Sequence, residues 1–204
     1  MIRRLVDILV AALVLLLGSP VFLLLAAAIR LESQGNPFYG GVRAGLNGRP
    51  FRMWKFRTMV KDAERIGPGI TARRDARITR LGALLRRTKI DELPQFFNLF
   101  TGDLTLIGPR AEVPEIVARY TLAQRGVLTV KPGITGPGQI HYTTDQADTI
   151  PDGVPADEYY VEHLLGPKLE IDIDYIRNRT LGADLRILFQ TVRVILLALL
   201  GRRA

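Results

Sequence analysis

Apolar positions are distributed unevenly along the chain, and the two ends differ in kind. Positions 8–29 carry no charge and are apolar on every helical face. At about 1.5 Å per residue they predict a helix of about 33 Å, against a hydrocarbon core of about 30 Å. Gly18, Ser19 and Pro20 divide this run into two arms, each reaching only about 15 Å. Two readings follow: a kinked span, which is the simpler, or a re-entrant helical hairpin. Proline removes a backbone donor and frees the carbonyl four residues back, and the Ser19 hydroxyl offers one way to satisfy a group stranded in lipid. Arg3 and Arg4 precede the run and Arg30, Arg43 and Arg49 follow it, so flanking charge gives no crossing direction. The run is longer than the apolar part of a cleaved signal peptide.

Near the other end, positions 184–200 predict a helix with Leu185, Leu188, Val192, Ile195, Leu196 and Leu199 near one face. It is too short in uncharged residues to span. That face either packs in a core or lies among lipid headgroups, with Arg202 and Arg203 beyond it. Gly, Pro and Asn punctuate the middle, leaving short strands at 51–59 and 127–130 and helices at 76–87, 92–100, 114–120 and 169–177. No linker splits this body. The expectation is an α/β fold: a small, mixed, helix-rich domain with short strands, divided as an anchor over 1–30 and a body over 31–204.

Composition narrows the chemistry. The 204 residues contain no cysteine and only two histidines, His141 and His163, which excludes disulfides, thiolate nucleophiles, cysteine zinc sites and a histidine metal cluster. Lys and Arg number 28 against 20 Asp and Glu. Arg73, Arg74, Arg77, Arg80, Arg86, Arg87 and Lys89 crowd one region in which Ile78, Leu81, Leu84 and Leu85 recur at helical spacing. Such a helix presents either a solvated basic face or a surface for anionic lipid, phosphate-bearing substrate or nucleic acid.

The stretch 88–110, TKIDELPQFFNLFTGDLTLIGPR, is the most informative. Asp91 and Glu92 precede Pro94 and open a segment with Leu93, Phe96, Phe97 and Phe100 at helical spacing. In the plainer reading Asp91 caps this helix and Glu92 complements its dipole. In the other, a carboxylate attacks phosphorus to form an acyl phosphate, and magnesium needs only one or two carboxylates beside substrate phosphates. Lys55 and Arg57 of KFRTM and Arg110 of GPR then supply fixed positive charge for phosphate oxygens.

KFRTM at 55–59, DELPQ at 91–95, FNLFTGDLTLIGPR at 97–110 and PGITG at 132–136 resemble, in order and spacing, the bacterial sugar transferase family of monotopic phosphoglycosyl transferases. The resemblance extends to the apolar segment interrupted at Ser19–Pro20 and, more loosely, to Asp172, Tyr175, Asn178, Asp184 and Leu185. It implies transfer of a phospho-sugar from a UDP-sugar to undecaprenyl phosphate with release of UMP, initiating surface-glycan synthesis. It also implies Asp91 as nucleophile, Glu92 as the magnesium-associated carboxylate and ping-pong order, with Mg2+ as cofactor. The implied setting is the cytoplasmic face of the bacterial inner membrane, with membrane lipids as partners and no nucleic acid. A re-entrant anchor bent at Ser19 and Pro20, with amphipathic interfacial helices, replaces the span as the expected form of the N-terminus.

Two departures from the family pattern stand out. Ala111 occupies a position commonly proline. After PGITG, Gln139 is followed by Ile140, His141 and Tyr142, and the family's arginine is missing, so either another cation such as Lys131 or Lys168 substitutes or the sugar and phosphate are handled differently. PGITG itself reads as a tight turn, and 145–158 as a solvated loop. The competing functional class is a membrane-anchored basic protein that binds anionic lipid or nucleic acid without catalysis.

Overall fold

The computed structural model describes residues 2–63, 75–141, 154 and 156–199. Arg73, Arg74, Arg202, Arg203 and most of the loop 145–158 lie outside them. Helices dominate, with four short strands among the described residues. Two compact, interleaved units result: Met1–Gly41 with Arg52–Gly102, and Val42–Phe51 with Asp103–Ala204.

In the first unit, α1 (Ile2–Glu32) is one helix that continues through Pro20. The expected interruption at 18–20 therefore does not end the helix, for a physical reason already visible in the sequence. Pro20 cannot donate to the Leu16 carbonyl, and the Ser19 hydroxyl donates to that same carbonyl at 2.8 Å. Asp7, Ala11 and Ile29 are buried, and nothing from position 12 to position 28 is. Leu13, Leu16, Leu17, Leu23 and Leu24 stand open.

Both ends of α1 are held by this unit. Arg4 donates to the carbonyls of Leu99 and Phe100, while Ile29, Phe22 and Leu25 join a core around Phe56 and Leu85. The Phe22 ring meets Phe56 edge-on with centroids 5.5 Å apart, a favoured aromatic arrangement. Phe56 closes β2 (Pro50–Phe56), which pairs with β1 (Phe38–Ala44) across a short turn at Leu46–Gly48.

A short α2 (Arg80–Arg87) starts four residues later than the periodicity predicts. Thr79 caps it by accepting from the Gly82 amide at 2.9 Å. Gly82 lies so near the Thr58 carbonyl that a Cβ there would collide with backbone. α3 (Gln95–Thr101) follows. Its buried Asn98 accepts from the Trp54 amide at 2.9 Å and donates to the Arg52 carbonyl at 2.7 Å, fixing α3 to β2.

The second unit holds β3 (Thr105–Ile107), α4 (Pro114–Ala118), β4 (Gly133–Thr135) and α5 (Pro137–His141). Beyond these, α6 (Ala156–Tyr159) runs through a π-turn (Tyr160–Leu164) into α7 (Leu165–Arg177), and α8 (Leu181–Leu199) follows. Two expectations are corrected here. PGITG is not a tight turn: it supplies β4, parallel to β3 with Thr105 opposite Gly133 and Ile107 opposite Thr135. Gly133 is required because its neighbour Gly108 leaves no room for a Cβ.

Positions 127–130, expected as a strand, fall largely in a 3-10 segment (Gln124–Thr129). Thr121 and Gln124 cap that turn reciprocally, each side chain accepting from the other's amide. In α8 the apolar positions divide between a packed face and an open one. Ile187 packs with Ile107 and Tyr175, while Leu181, Leu185, Phe189, Val192, Ile195 and Leu196 remain exposed.

Candidate active site

The carboxylate pair lies in the link between α2 and α3. α2 ends at Thr88, whose hydroxyl back-bonds to Leu84 and Leu85. Lys89 then adopts a left-handed conformation, φ 58° and ψ 12°. A non-glycine residue pays about 1–2 kcal/mol there, and such strain at a polar turn is a feature of functional sites. A single 3-10 turn, Ile90–Glu92, carries the pair. The capping reading of Asp91 is overturned by this geometry: Pro94 occupies the cap of α3, and no side chain caps it.

Asp91 is 7% exposed, and its Oδ1 has no hydrogen-bond partner. Buried polar atoms are nearly always paired, so an unpaired carboxylate oxygen needs an explanation. Burial is the main influence on its acidity and pushes the carboxyl above the ordinary aspartate range, with Glu92 adding to the rise. Lys55, Lys89 and Arg86 pull the other way. The half-exposed Glu92 differs: the Lys55 Nζ sits 2.8 Å from its Oε1.

Lys55 therefore reaches the pair as the ion-pair partner of Glu92. Arg57 turns elsewhere. Its Nη2 donates to the Ser33 carbonyl at 2.6 Å and to the Ser33 hydroxyl at 3.0 Å, just beyond α1. In its place stands a cation that sequence reasoning did not single out. Arg86 is half-buried on the inner side of α2, donates from Nε to the Thr58 hydroxyl at 2.7 Å, and exchanges charge effects with Asp91. Its position five residues before Asp91 was the available signal, hidden because it read as one of several arginines on a basic face. That face is itself depleted, since Arg77 is buried against Asp75 and donates to the Ala63 carbonyl.

Arg110 belongs to the second unit, where it is half-buried and lines a shallow pocket with Pro109, Ala44 and Tyr120. Two residues on, Glu112 is the hub of a buried cluster. The Tyr160 hydroxyl donates to its Oε1 at 2.6 Å, and the Lys168 Nζ lies 2.9 Å from that hydroxyl and 3.3 Å from the carboxylate. Burial opposes ionisation of Glu112, but Lys168, Arg110 and Tyr160 outweigh it and hold the group below the usual glutamate range. Lys168 is thus spent, at 2% exposure, and cannot stand in for the missing arginine. The half-buried Lys131 is the alternative that survives.

Among the described residues no three acidic or histidine side chains gather as a metal cage. A magnesium ion does not require one, because it keeps water and takes substrate phosphates as ligands. The unpartnered Oδ1 of Asp91 beside Glu92 is a donor set of the right hardness and charge, so the residues fit the ion.

The chain belongs to a known group of proteins. The family model described as bacterial sugar transferase matches residues 1–198, and the protein is a member of that family. Among its relatives is the UDP-glucose:undecaprenyl-phosphate glucose-1-phosphate transferase of Escherichia coli, 36% identical over 94% of this chain and 39% of that protein. The UDP-N-acetylgalactosamine-undecaprenyl-phosphate N-acetylgalactosaminephosphotransferase of Aeromonas hydrophila is 38% identical over 96% of this chain and 44% of its own length. The chain thus spans about two fifths of these relatives. It matches a shorter one, exopolysaccharide production protein ExoY of Rhizobium meliloti, over 87% of that protein at 33% identity.

Proposed function

We propose that this protein transfers a phospho-sugar from a UDP-sugar to undecaprenyl phosphate, releasing UMP, as the initiating step of a surface glycan. The observation that carries the reading is the buried Asp91 oxygen without a partner, set among Lys55, Arg86 and Lys89. In the first step Asp91 attacks the phosphorus that bears the sugar. The bond from that phosphorus to the bridging oxygen breaks, and UMP departs with the electron pair. In the second, an oxygen of the lipid phosphate attacks the same phosphorus, the acyl–phosphate bond breaks, and the Asp91 carboxylate is regenerated.

Asp91 and Glu92 would hold a magnesium ion, which when bound supplies charge neutralisation for the phosphates. Lys55 holds Glu92 in place, and Arg86 presents fixed positive charge beside the nucleophile. Arg110 and Lys131 are assigned to substrate phosphate or sugar. Arg57 enters that set only if it leaves Ser33.

The membrane setting is part of the proposal. Residues 1–30 form a monotopic anchor that dips into the cytoplasmic leaflet of the inner membrane, bent at Ser19 and Pro20, and 31–204 form the catalytic part. Support comes from α1 being tied at both ends to the first unit, which leaves its apolar middle free for lipid. The exposed apolar face of α8 is assigned to the headgroup region, with Arg186 and Arg193 along one edge. The competing reading, a non-catalytic basic binder, has the exposed Arg80 and Arg87 of α2 to draw on, but it leaves the unpartnered Asp91 oxygen without a role.

A screen for UMP release across UDP-sugars, with undecaprenyl phosphate and magnesium, tests the activity. Mass spectrometry of enzyme given UDP-sugar alone should find the phospho-sugar on Asp91 and none in Asp91→Asn. Steady product formation without any covalent load would remove Asp91 from the role. With no native cysteine, single cysteines at both ends of α1 report topology, and labelling of the two from opposite faces would refute the monotopic anchor.

A further inference from the structure

The two helices that flank the carboxylate turn are each fastened, at the end remote from it, to opposite ends of α1. Arg4 lies in the first turns of α1. Its Nη1 and Nη2 donate to the Leu99 and Phe100 carbonyls at 2.7 and 2.8 Å. Those carbonyls lie in the last turn of α3, where a helix has acceptors without internal donors and its dipole favours a cation.

Glu32 is the last residue of α1. Its Oε1 accepts from the Leu81 amide at 3.0 Å, in the first turn of α2, where amides lack partners and a carboxylate suits the dipole. One helix thus supplies a cation to the C-terminus of α3 and an anion to the N-terminus of α2. Between their near ends lie only Thr88 to Pro94, with the strained Lys89 and the carboxylate pair. Neither helix is long enough to be stable alone: α2 has 8 residues and α3 has 7. The remote restraints therefore bear directly on the position of the turn.

We infer that Arg4 and Glu32 are positioning residues for the transfer reaction: α1 is a brace that holds the Asp91–Glu92 turn in register, as well as a membrane anchor. This rests on the proposed activity for its kinetic consequence, but not for its structural one. A brace acts on the placement of reacting groups and not on affinity for a substrate bound elsewhere, so its loss lowers kcat and leaves KM.

The test uses the full chain in lipid nanodiscs, with Arg4→Ala, Arg4→Lys, Glu32→Ala and Glu32→Gln. The glutamine keeps an acceptor for the Leu81 amide, and the lysine keeps a donor for the α3 carbonyls. Expected are a fall in kcat for UMP release of about tenfold in both alanine variants with KM for UDP-sugar within about twofold. Glu32→Gln should recover to within about twofold of the parent, and Arg4→Lys in part. Unchanged kcat in the alanine variants, a parallel change in KM, or a glutamine variant as poor as alanine would overturn the positioning role.

Hydrogen exchange at the Glu92 and Leu93 amides, which close the turn onto Lys89 and Ile90, gives a readout independent of activity. About tenfold faster exchange is expected in both alanine variants while the amides of α7 are unaffected. Exchange unchanged at the turn would refute the brace. Faster exchange in the alanine variants, with a parent that releases no UMP from any UDP-sugar, would refute the proposed activity and leave the brace standing.

Discussion

Each unit buries a carboxylate near a lysine, and the two are finished in opposite ways. In the second unit Glu112 receives Tyr160 and Lys168, and its neighbours hold it ionised below the usual range. In the first, the neighbouring lysine is drawn to Glu92, and Asp91 keeps a bare oxygen and a raised affinity for its proton. A paired carboxylate belongs to the fold, because removing its partners is what costs stability. The unpaired one is a debt the fold carries for chemistry.

The largest effect that would sharpen this contrast is at Asp91. Asp91→Asn should lower turnover at least about 1,000-fold, as loss of a nucleophile does, and at neutral pH it should also raise the melting temperature. The sign follows from the shift: the folded state binds the Asp91 proton more tightly than the unfolded chain, so the charged form costs stability above the folded pKa, and asparagine carries no charge to desolvate. A variant that melts lower than the parent at pH 7.5 would break the comparison.

Glu112→Ala should do the reverse, destabilising by about 3–5 kcal/mol through the lysine left buried and alone, measured by thermal or denaturant unfolding in nanodiscs. Asp172 offers a pH test within the second unit. It is 1% exposed and accepts from the Gly138 amide at 3.0 Å, and burial pushes its carboxyl up to about 6. Its contribution to stability is therefore full below about pH 4 and lost as pH rises through about 6, roughly 2–3 kcal/mol. The parent's unfolding free energy should decline between pH 5 and 7.5 more steeply than that of Asp172→Asn, and equal slopes would contradict the assignment.

The smallest effect lies in the anchor. Ser19→Ala should cost about 1 kcal/mol, because it strips the Leu16 carbonyl of its donor. In a Pro20→Ala background the backbone amide is restored, so the same change should cost almost nothing. Equal costs in both backgrounds would mean that Ser19 does not compensate for Pro20.

Much of this was legible along the chain because it is local. The uncharged run at 8–29 is long enough to be a membrane-length helix whatever surrounds it, and DELPQ brings two carboxylates together by adjacency alone. The TxxQ spacing of Thr121 and Gln124 also announced a helical turn, which the β-branched residues at 127 and 130 masked. The chemical character of Asp91 was not local. As a sequence it fits a helix cap, and only the burial around it and the drawing of Lys55 to Glu92, thirty-seven residues away, leave it unpaired.

What the order of residues determined alone is therefore whatever depends on neighbours within a turn or two: the longer helices, the apolar faces, the Ser19–Pro20 compensation and the adjacency of the two acids. Tertiary structure alone decided which arginine faces the nucleophile, that Arg57 serves the end of α1, that Lys168 is consumed by Glu112, and that PGITG is a strand. Each of those outcomes depends on which distant group reaches a charge or a backbone amide first, and spacing along the chain carries no record of that competition.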